Sequence, residues 1–496
     1  MTNSSQRNQS LLKKLKLFDW IALGCIVILS LILGVVLVRG EQIPLRVSYF
    51  SWNGKKIGLQ DKAFRITFNR PVDKYSVEKH LSIDPPLSGK ISWRGRQLIY
   101  TLDDPPIYGT NYQIKLQNAH RIYDHKFIEP FVSLFSTRDR TFAYIGITAE
   151  ERGRLIICNI TDANQPKKTI LTPLDLIVTN FKIYPNGSKI LFSAYEPSLN
   201  SQTLVNQQLY TVTTGLQVSP NAVEMPRAGR LKRILDTKNY RNLTFDLSHN
   251  GQSIVIWRIN RKNPADSGLW TVSEEQNPRP LGVPGGDFVI SPDGKYVVIS
   301  QRGGVGIVSL NSDGEASEFL TGYEKSLGFS ADGKQMLLVR DNRDYTRSLV
   351  LINQNKQKQE LFRTLYPIID CEFEPREKKL LYCLKTDLVE EKKGKYREEP
   401  FLSVIDIEKT MDFPLLALPN YRDVQLSMSP DGVALLFDQV VTAVPSSTND
   451  LITSEQQGIA NGQVWLLPLP ELKGSDKTLK IKPEELEIGF KPQWLP

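Results

Sequence analysis

The sequence predicts a mainly β protein, and three observations lead to that prediction. A hairpin motif with one tight turn recurs six times between residues 181 and 438. Short alternating apolar runs, separated by Pro, Gly and Asp, fill residues 41–140. The long apolar segment that suits a helix lies near the N-terminus, at residues 20–38. Alternation with a period of two and frequent turn residues indicate strands rather than helices.

The apolar segment from Trp20 to Val38 would, as a helix, match the hydrocarbon thickness of a bilayer. Basic residues precede it and few follow, which favours a cytoplasmic N-terminus. We therefore expect a basic cytoplasmic tail over 1–16 and a single transmembrane helix over 17–39. The localisation would be the inner (plasma) membrane, with the remaining domains periplasmic or extracellular. Signal-peptide cleavage and lipidation at Cys25 are the alternatives.

The charge distribution does not favour a nucleic-acid partner. The formal net charge is +8. Half of it comes from four basic residues in the N-terminal tail, namely Arg7, Lys13, Lys14 and Lys16. The rest of the chain is nearly balanced, so electrostatic attraction to a polyanion is not expected.

The chain has four cysteines, too few for a disulfide framework in an exported protein of this length. Cys371 and Cys383 lie on the two arms of one predicted hairpin. The expected register places them diagonally rather than opposite each other, so we expect buried, unpaired thiols there. The same expectation applies to Cys158.

Residues 41–140 are predicted to form a β-sandwich without helical segments. In the run from Phe64 to Phe68 the apolar residues alternate, and Tyr112, Ile114 and Leu116 repeat the pattern. Each run therefore supplies one buried face. Spacing of about ten residues, with Pro and Gly between the strands, is typical of such sandwiches.

The motifs "ITFNRPVDKYSV", "YGTNYQIKL" and "FSTRD" resemble the bacterial Ig-like domains of S-layer and other surface proteins. The resemblance covers about 90 residues and implies a spacer or docking module. The family's usual Asp-x-x-Gly-Asn loop is replaced by "YDHKFIEP". His120, Asp124 and His125 in this region lack the further ligands of a zinc site, so no metal is expected.

The recurring motif occupies residues 141–496, which we predict to form one β-propeller. Five of the six copies have a glycine in the turn, at Gly187, Gly251, Gly294, Gly333 and Gly432. Glu377 takes this position in the remaining copy. Successive turns are 64, 43, 39, 44 and 55 residues apart, a period of about 40 plus insertions. Each unit contains four apolar strand segments, which is the content of a propeller blade.

The two ends of this segment predict how the ring closes. Residues 142–173 supply three strands that lack a first strand, and the C-terminal "IGFKPQWLP" supplies a first strand followed by nothing. Joining them gives a seventh blade and removes two exposed sheet edges. Seven blades are therefore predicted, with six as the alternative if the terminal segments pack elsewhere.

The repeats, with their "S-P-D-G" turns, resemble the TolB-type (WD40-like) propeller repeat over roughly 350 residues. That resemblance implies the fold, while the function stays open, because such propellers serve as scaffolds, binding partners, sensors and non-catalytic domains of peptidases.

The sequence lacks the local motifs of the common enzyme classes. It has no Gly-x-Ser-x-Gly elbow, no Walker loop and only four histidines, so we expect neither an enzyme nor a cofactor. Catalysis by carboxylates alone stays open, because two converging acids leave no local motif.

Four long insertions between second and third strands should share one rim of the ring, at 195–207, 260–268, 385–400 and 439–462. The segment "LITSEQQGI" in the last insertion could extend across the central channel. The candidate partner-binding residues on these insertions are Tyr195, Leu199, Asn200, Arg261, Lys262, Asn263, Lys393, Tyr396, Arg397, Asn449, Gln456 and Gln457.

The leading hypothesis is a membrane-anchored, extracytoplasmic binding or scaffold protein that grips a protein or glycan of the cell envelope with this rim. The first alternative is an envelope glycan hydrolase or lyase with carboxylates in the propeller channel. The second is a structural subunit that contacts a larger complex through the Ig-like domain.

Overall fold

The computed structural model describes residues 17–39, 44–122, 126–197, 206–216, 227–273, 277–311, 316–376, 379–392, 394–419, 421, 423–443, 451–453, 457–469 and 482–496. The protein is mainly β, as predicted, with strands gathered into two groups of sheets. One group is a two-layer sandwich, and the other is a ring of radial sheets.

Helix α1 spans Leu17–Arg39. Within the described residues, no helix is both long and apolar enough to cross a membrane. By this criterion the predicted inner-membrane, single-pass localisation, with periplasmic or extracellular domains, is wrong.

The sandwich consists of two four-stranded sheets. In spatial order, the first contains β1 (Val47–Phe50), β3 (Ala63–Phe68), β6 (Gln97–Leu102) and β5 (Gly89–Arg94). The second contains β2 (Lys56–Ile57), β8 (Phe131–Thr137), β7 (Asn111–Leu116) and β4 (Leu81–Asp84).

Aromatic side chains from both sheets form the core of the sandwich. Trp52 packs against Phe64 and Phe135, with ring centroids 5.1 and 5.2 Å apart. The predicted alternation holds in β3, where Phe64, Ile66 and Phe68 are all buried. The expectation of no helix is wrong, because α2 (Lys74–His80) follows β3; Asp73 caps it by accepting a hydrogen bond from Tyr75 N.

Five blades of the ring are four-stranded antiparallel sheets that each use one continuous stretch of chain. Blade 2 contains β12 (Ile177–Ile183), β13 (Lys189–Tyr195), β14 (Gln208–Thr213) and β15 (Leu231–Leu235). Blade 3 contains β16 (Tyr240–Leu247), β17 (Ile254–Asn260), β18 (Ser267–Val272) and β19 (Arg279–Pro280). Blade 4 contains β20 (Phe288–Ile290), β21 (Tyr296–Gln301), β22 (Gly304–Ser309) and β23 (Ala316–Thr321). Blade 5 contains β24 (Tyr323–Phe329), β25 (Gln335–Asp341), β26 (Arg347–Asn353) and β27 (Lys358–Thr364). Blade 6 contains β28 (Ile368–Phe373), β29 (Leu380–Lys392), β30 (Lys395–Asp406) and β31 (Met411–Ala417).

The remaining two blades share one strand, β35 (Glu484–Trp494). Its first half pairs with β34 (Gly458–Pro468) and completes blade 7, while its second half pairs with β9 (Thr141–Gly146) and opens blade 1. Blade 7 also contains β32 (Leu426–Met428), β33 (Ala434–Ala443) and β34 (Gly458–Pro468). Blade 1 continues with β9 (Thr141–Gly146), β10 (Leu155–Asn159) and β11 (Lys167–Ile170).

The innermost, or first, strands of consecutive blades contact one another around the ring. The last contact joins β35 to β12, where Gln493 Nε2 donates to Phe181 O at 3.2 Å. The ring therefore closes with seven blades, through the two chain ends of the repeat segment. Trp494 is 7% exposed and its ring lies edge-on to Phe142.

The second and third strands of the blades are apolar on both faces. In β13, for example, the six residues from Ile190 to Tyr195 are all buried. Burial of apolar surface is worth roughly 25 cal/mol per Å², and one sheet alone leaves both faces in water. Each blade is therefore stabilised by its two neighbours.

The turns between first and second strands share one geometry. In blade 4, Ser291 N donates to Tyr296 O at 2.9 Å, and Gly294 has φ +71, a region that favours glycine. The two bonded residues are five positions apart in blades 2 to 5 and in blade 7.

Blade 6 differs by one residue, because Glu374 N donates to Leu380 O, six positions away. This longer turn shifts the register and places Cys371 directly opposite Cys383. The two cysteines form a disulfide, so the prediction of diagonal, unpaired thiols is wrong for them. Cys158 is free and buried, as expected.

The sandwich packs against the face of the ring that carries these turns. Tyr108 N of the sandwich donates to Asp431 Oδ2 at 2.9 Å, and Arg376 Nε of blade 6 holds the same turn residue by donating to Asp431 O at 2.6 Å. Arg138 Nη1 reaches Asn186 O at 3.2 Å and Pro496 O at 2.6 Å. The opposite face, which carries the connections between second and third strands, has no such contact among the described residues.

The shared strand can be tested by removing one buried ring. Phe490 is 1% exposed and packs with Ile145 in the core of blade 1. We expect Phe490→Ala to lower the free energy of unfolding by about 3–5 kcal/mol, the usual cost of truncating a buried phenylalanine. Urea denaturation measures this loss.

The matched control is Phe413→Ala, which truncates a 39% exposed ring on the outer strand β31. Its expected cost is below about 1 kcal/mol. Equal losses for the two variants would contradict a closure that depends on β35.

Candidate functional site

The seven first strands surround a central channel and place equivalent residues on it. In each blade we count from the residue whose backbone N–H donates a hydrogen bond across the turn between the first and second strands. This residue is Tyr184 in blade 2, where it donates to Lys189 O. It is Leu495 in blade 1, where it donates to Thr141 O. Two positions before that residue lie Lys182, Asp246, Val289, Gly328, Glu372, Ser427 and Gln493. We call this set the channel layer.

Lys182 and Asp246 of the channel layer form an ion pair between neighbouring blades. Lys182 Nζ lies 3.1 Å from Asp246 Oδ1. The charge of Asp246 raises the pKa of Lys182 despite the opposing effect of burial. The Lys182 side chain keeps 41% of its accessible surface although the ring encloses it, because it faces the open channel.

Two carboxyl groups face Lys182 from the other side of the ring. Asp370 and Glu372 lie two positions apart on β28, and therefore on the same side of the strand. Lys182 interacts electrostatically with both of them. The channel therefore holds acidic and basic groups within range of one another.

The two carboxyl groups differ in their partners. Asp370 Oδ1 accepts a hydrogen bond from Cys371 N at 2.8 Å, and burial raises the pKa of Asp370. Burial, with the nearby charge of Asp370, raises the pKa of Glu372 to about 8. Within the described part of the chain, the Glu372 carboxyl has no hydrogen bond or ion pair.

A second buried polar group ties blade 7 to the shared strand. Asp438 accepts hydrogen bonds from Gln425 N and Lys491 N, each at 2.7 Å. Burial raises the pKa of Asp438 to about 7 and lowers the pKa of Lys491. Lys491 Nζ donates to Thr179 O at 3.0 Å, so this group is held by structural bonds.

The insertion-bearing rim lies at the opposite end of the first strands from the turns. Arg261, in the insertion of blade 3, donates to Thr237 O at 2.6 Å and to Asn206 Oδ1 at 2.8 Å. The insertions of blades 2 and 3 therefore meet, as expected from their shared rim.

Two β-ribbons extend the rim on neighbouring blades. In blade 6, β29 and β30 stay paired from Leu380 and Asp406 out to Lys392 and Lys395. In blade 7, β33 and β34 stay paired out to Ala443 and Gly458. Neither β28 nor β31 extends as far as the outer part of the blade 6 ribbon, so among the described residues both of its edges lack strand partners there.

The blade 6 ribbon presents an apolar and acidic face. Leu388 pairs with Glu398 and Tyr396 with Glu390, so all four residues lie on the same side. Leu388 is 41% exposed and Tyr396 is 64% exposed. The other side carries the ion pair between Arg397 Nη2 and Glu399 Oε1, at 3.3 Å.

The predicted site residues have different environments. Tyr195 is buried inside blade 2 and is not accessible to a partner. Arg261, Lys262 and Asn263 are exposed on the blade 3 insertion, and Gln457 is exposed on the blade 7 insertion. Outside the described residues lie Leu199, Asn200, Lys393, Asn449 and Gln456.

Two further expectations concern loops. Leu451 is buried with Val440 and Ile459 in the core that includes blade 1, so this part of "LITSEQQGI" does not extend across the channel.

His120 Nε2 lies 3.6 Å from Asp73 Oδ2, while Asp124 and His125 are outside the described residues.

Sequence reasoning missed the channel layer. Its residues are ordinary in the local sequence, and only their constant offset from the turns identifies them. The six aligned motifs show this constant offset. They do not show that the side chains of the channel layer converge, because that depends on closure of the ring.

No family model matches the chain. No curated protein matches it either. Among solved structures, the chain is similar to a protein of Bacteroides uniformis proposed to be a 6-phosphogluconolactonase, with 10% identity over 72% of this chain and 99% of that one, at a TM-score of 0.44. It is also similar to oligogalacturonate lyase from Vibrio parahaemolyticus, with 10% identity over 71% and 86%, at 0.42. TolB from Acinetobacter baumannii is similar with 13% identity over 84% and 83%, at 0.38.

The raised pKa of Glu372 predicts a pH-dependent stability. An acid whose folded-state pKa exceeds its unfolded value, about 4.3, stabilises the fold while it is protonated, and this contribution is lost as pH rises through about 8. We expect wild type and Glu372→Gln to have similar unfolding free energies near pH 4.5. The variant becomes relatively more stable as pH rises toward 9.

Chemical denaturation across this pH range measures the difference between the two proteins. Stability curves that run parallel from pH 4.5 to 9 would show that the carboxyl titrates normally.

Proposed function

We propose that the protein is a non-catalytic binding protein that engages a protein partner through the two rim ribbons. The observation that supports this most directly is the blade 6 ribbon, where Leu388 and Tyr396 are exposed beyond the blade. Exposed tyrosine and aliphatic side chains on a rigid scaffold are typical of binding surfaces. Neither side chain is buried by the described part of the chain.

The chemistry of the ribbon indicates the kind of partner surface. Glu390 and Glu398 flank the apolar pair, so the partner surface would be apolar at its centre and basic at its rim. The free edges also permit a strand of the partner to pair with the ribbon.

The sandwich supports this function by its position. It resembles bacterial Ig-like domains, which act as spacers, and it covers only the turn face of the TolB-like ring. The rim is therefore left open to a partner. The contacts of Asp431 and Arg138 keep the two parts in one arrangement.

The ribbon is tested with photo-crosslinking groups at Tyr396 and Val441, which is 47% exposed on the blade 7 ribbon. The same group at Phe413, on an outer strand, is the control. We expect one partner to be captured from both ribbon positions and not from the control. Capture from Phe413 alone would argue against the rim.

Binding of the captured partner is then measured with purified proteins. The double variant Leu388→Ser, Tyr396→Ser is expected to weaken affinity by at least about tenfold, because central apolar side chains dominate such interfaces. Phe413→Ser should leave it unchanged. Unchanged affinity in the double variant would exclude the ribbon as the binding element.

A second function, glycan hydrolysis or elimination, is favoured by one observation. Asp370 and Glu372 are two carboxyl groups in the channel, and their environments differ. Two carboxyl groups in different environments are the usual arrangement when one acts as an acid and the other as a base. Incubating the protein with neutral and acidic oligosaccharides tests this. Cleavage that Glu372→Gln abolishes supports the second function, and no cleavage of any substrate class argues against it.

A further inference from the structure

A groove lies between blades 4 and 5, on the face of the ring that carries the turns. Its volume is about 540 Å³. This size is within the range of roughly 300–1,000 Å³ that small-molecule sites occupy. Two turn residues, Pro292 and Gly333, lie at the groove, and most of its wall is apolar. The apolar part of the wall consists of Val298, Ile307 and Leu320 of blade 4 and Phe329, Met336 and Ile352 of blade 5.

The residue that follows the third strand determines whether such a groove is filled. In blade 4 this residue is Leu310, whose N–H donates to Lys295 O and whose side chain is buried between blades 3 and 4. Ile407 has the same position in blade 6 and is buried between blades 5 and 6. In blade 5 the residue is Gln354, whose N–H donates to Lys334 O and whose side chain is exposed at the groove. Gln354 therefore leaves open the space that a buried apolar side chain fills at the two neighbouring interfaces.

The contact across the outer side of the groove also differs from that of a neighbouring interface. Between blades 3 and 4, Arg279 Nη2 donates to Leu310 O at 2.7 Å and brings the two blades together. Between blades 4 and 5, Lys356 Nζ lies 2.9 Å from Glu318 Oε1, and this ion pair is exposed to solvent. The long side chains of this pair span the groove without filling it.

The charged groups at the groove leave one lysine without a carboxylate. Three acidic residues of the wall each have a lysine partner, namely Asp293 with Lys295 at 3.6 Å, Asp332 with Lys334 at 3.6 Å and Glu318 with Lys356 at 2.9 Å. Lys358, the first residue of β27, also lies at the groove and is exposed. Its Nζ lies 5.5 Å from the ring centroid of Tyr323, and it has no ion pair among the described residues. The groove therefore combines an apolar wall with one excess positive charge.

These two properties define the class of ligand. An aliphatic chain on the apolar wall is removed from water, which is worth roughly 25 cal/mol per Å² of buried apolar surface. A carboxylate at one end of that chain is attracted to the ammonium group of Lys358. A ligand that carries a positive charge would be repelled by the same group.

We propose that the groove between blades 4 and 5 binds an aliphatic carboxylate, with the chain on the apolar wall and the carboxylate at Lys358. The groove lies across the ring from the sandwich, whose hydrogen bonds reach Asn186 in blade 2, Asp431 in blade 7 and the chain end at Pro496. It also lies on the opposite face from the rim ribbons. The site is therefore separate from the protein-binding surface proposed above.

The test is isothermal titration calorimetry of the full chain with monomeric dodecanoate as the probe. Dodecylammonium has the same chain and the opposite charge, so it is the matched control ligand. We expect saturable binding of dodecanoate, and binding of dodecylammonium that is several-fold weaker.

The variant Gln354→Leu places in blade 5 the side chain that fills the interface between blades 3 and 4. It should weaken dodecanoate binding at least about tenfold, because leucine occupies the space of the chain. Its free energy of unfolding in urea should equal or exceed that of wild type, which shows that the ring is intact.

The variant Lys358→Gln tests the charge. It should weaken dodecanoate binding by about two- to fivefold, the usual effect of an exposed ion pair, without weakening that of dodecylammonium. Lys167→Gln is the matched control, because Lys167 is an exposed first residue of the outer strand of blade 1. It should leave the binding of both ligands unchanged.

Absence of dodecanoate binding at millimolar concentration would overturn the proposal. So would binding that Gln354→Leu leaves intact, since the ligand would then lie elsewhere on the chain. Equal affinities for dodecanoate and dodecylammonium would contradict the assignment of the carboxylate to Lys358.

Discussion

The structure depends on one constraint, which is that the blade sheets are apolar on both faces. A sheet of this kind hides its surfaces only between two others, so a row of blades must close into a ring. Here the closure uses a single strand. β35 completes blade 7 with its first half and opens blade 1 with its second, and the buried side chains of Phe490 and Trp494 hold it there.

Closure also determines where chemistry and binding can be placed. It brings the first strands together, so that residues on distant blades, such as Lys182 and Glu372, face one channel. It separates two ends of that channel, one covered in part by the sandwich and one carrying the insertions. The paired ribbons of blades 6 and 7 stand on the second end, away from the sandwich.

Much of the fold could be predicted from the sequence, because its determinants are local. A glycine with positive φ at each turn, such as Gly294, marks the hairpins, and the strand content of the two ends predicts the clasp. The disulfide could not be predicted, because it depends on a register shift of one residue in blade 6. Tyr195 was assigned to a loop, whereas β13 continues through it and buries it. The expected membrane span was also wrong, because no helix among the described residues is long and apolar enough to cross a membrane.

The central claim is that β35 is an integral strand of two blades, and backbone amide hydrogen exchange on the segment Glu484–Trp494 tests it most directly. The account predicts that amides paired with β9, such as that of Phe490, exchange as slowly as those of an interior strand such as β13. Exchange of this segment at the rate of unpaired chain, while the other blades stay protected, would contradict it.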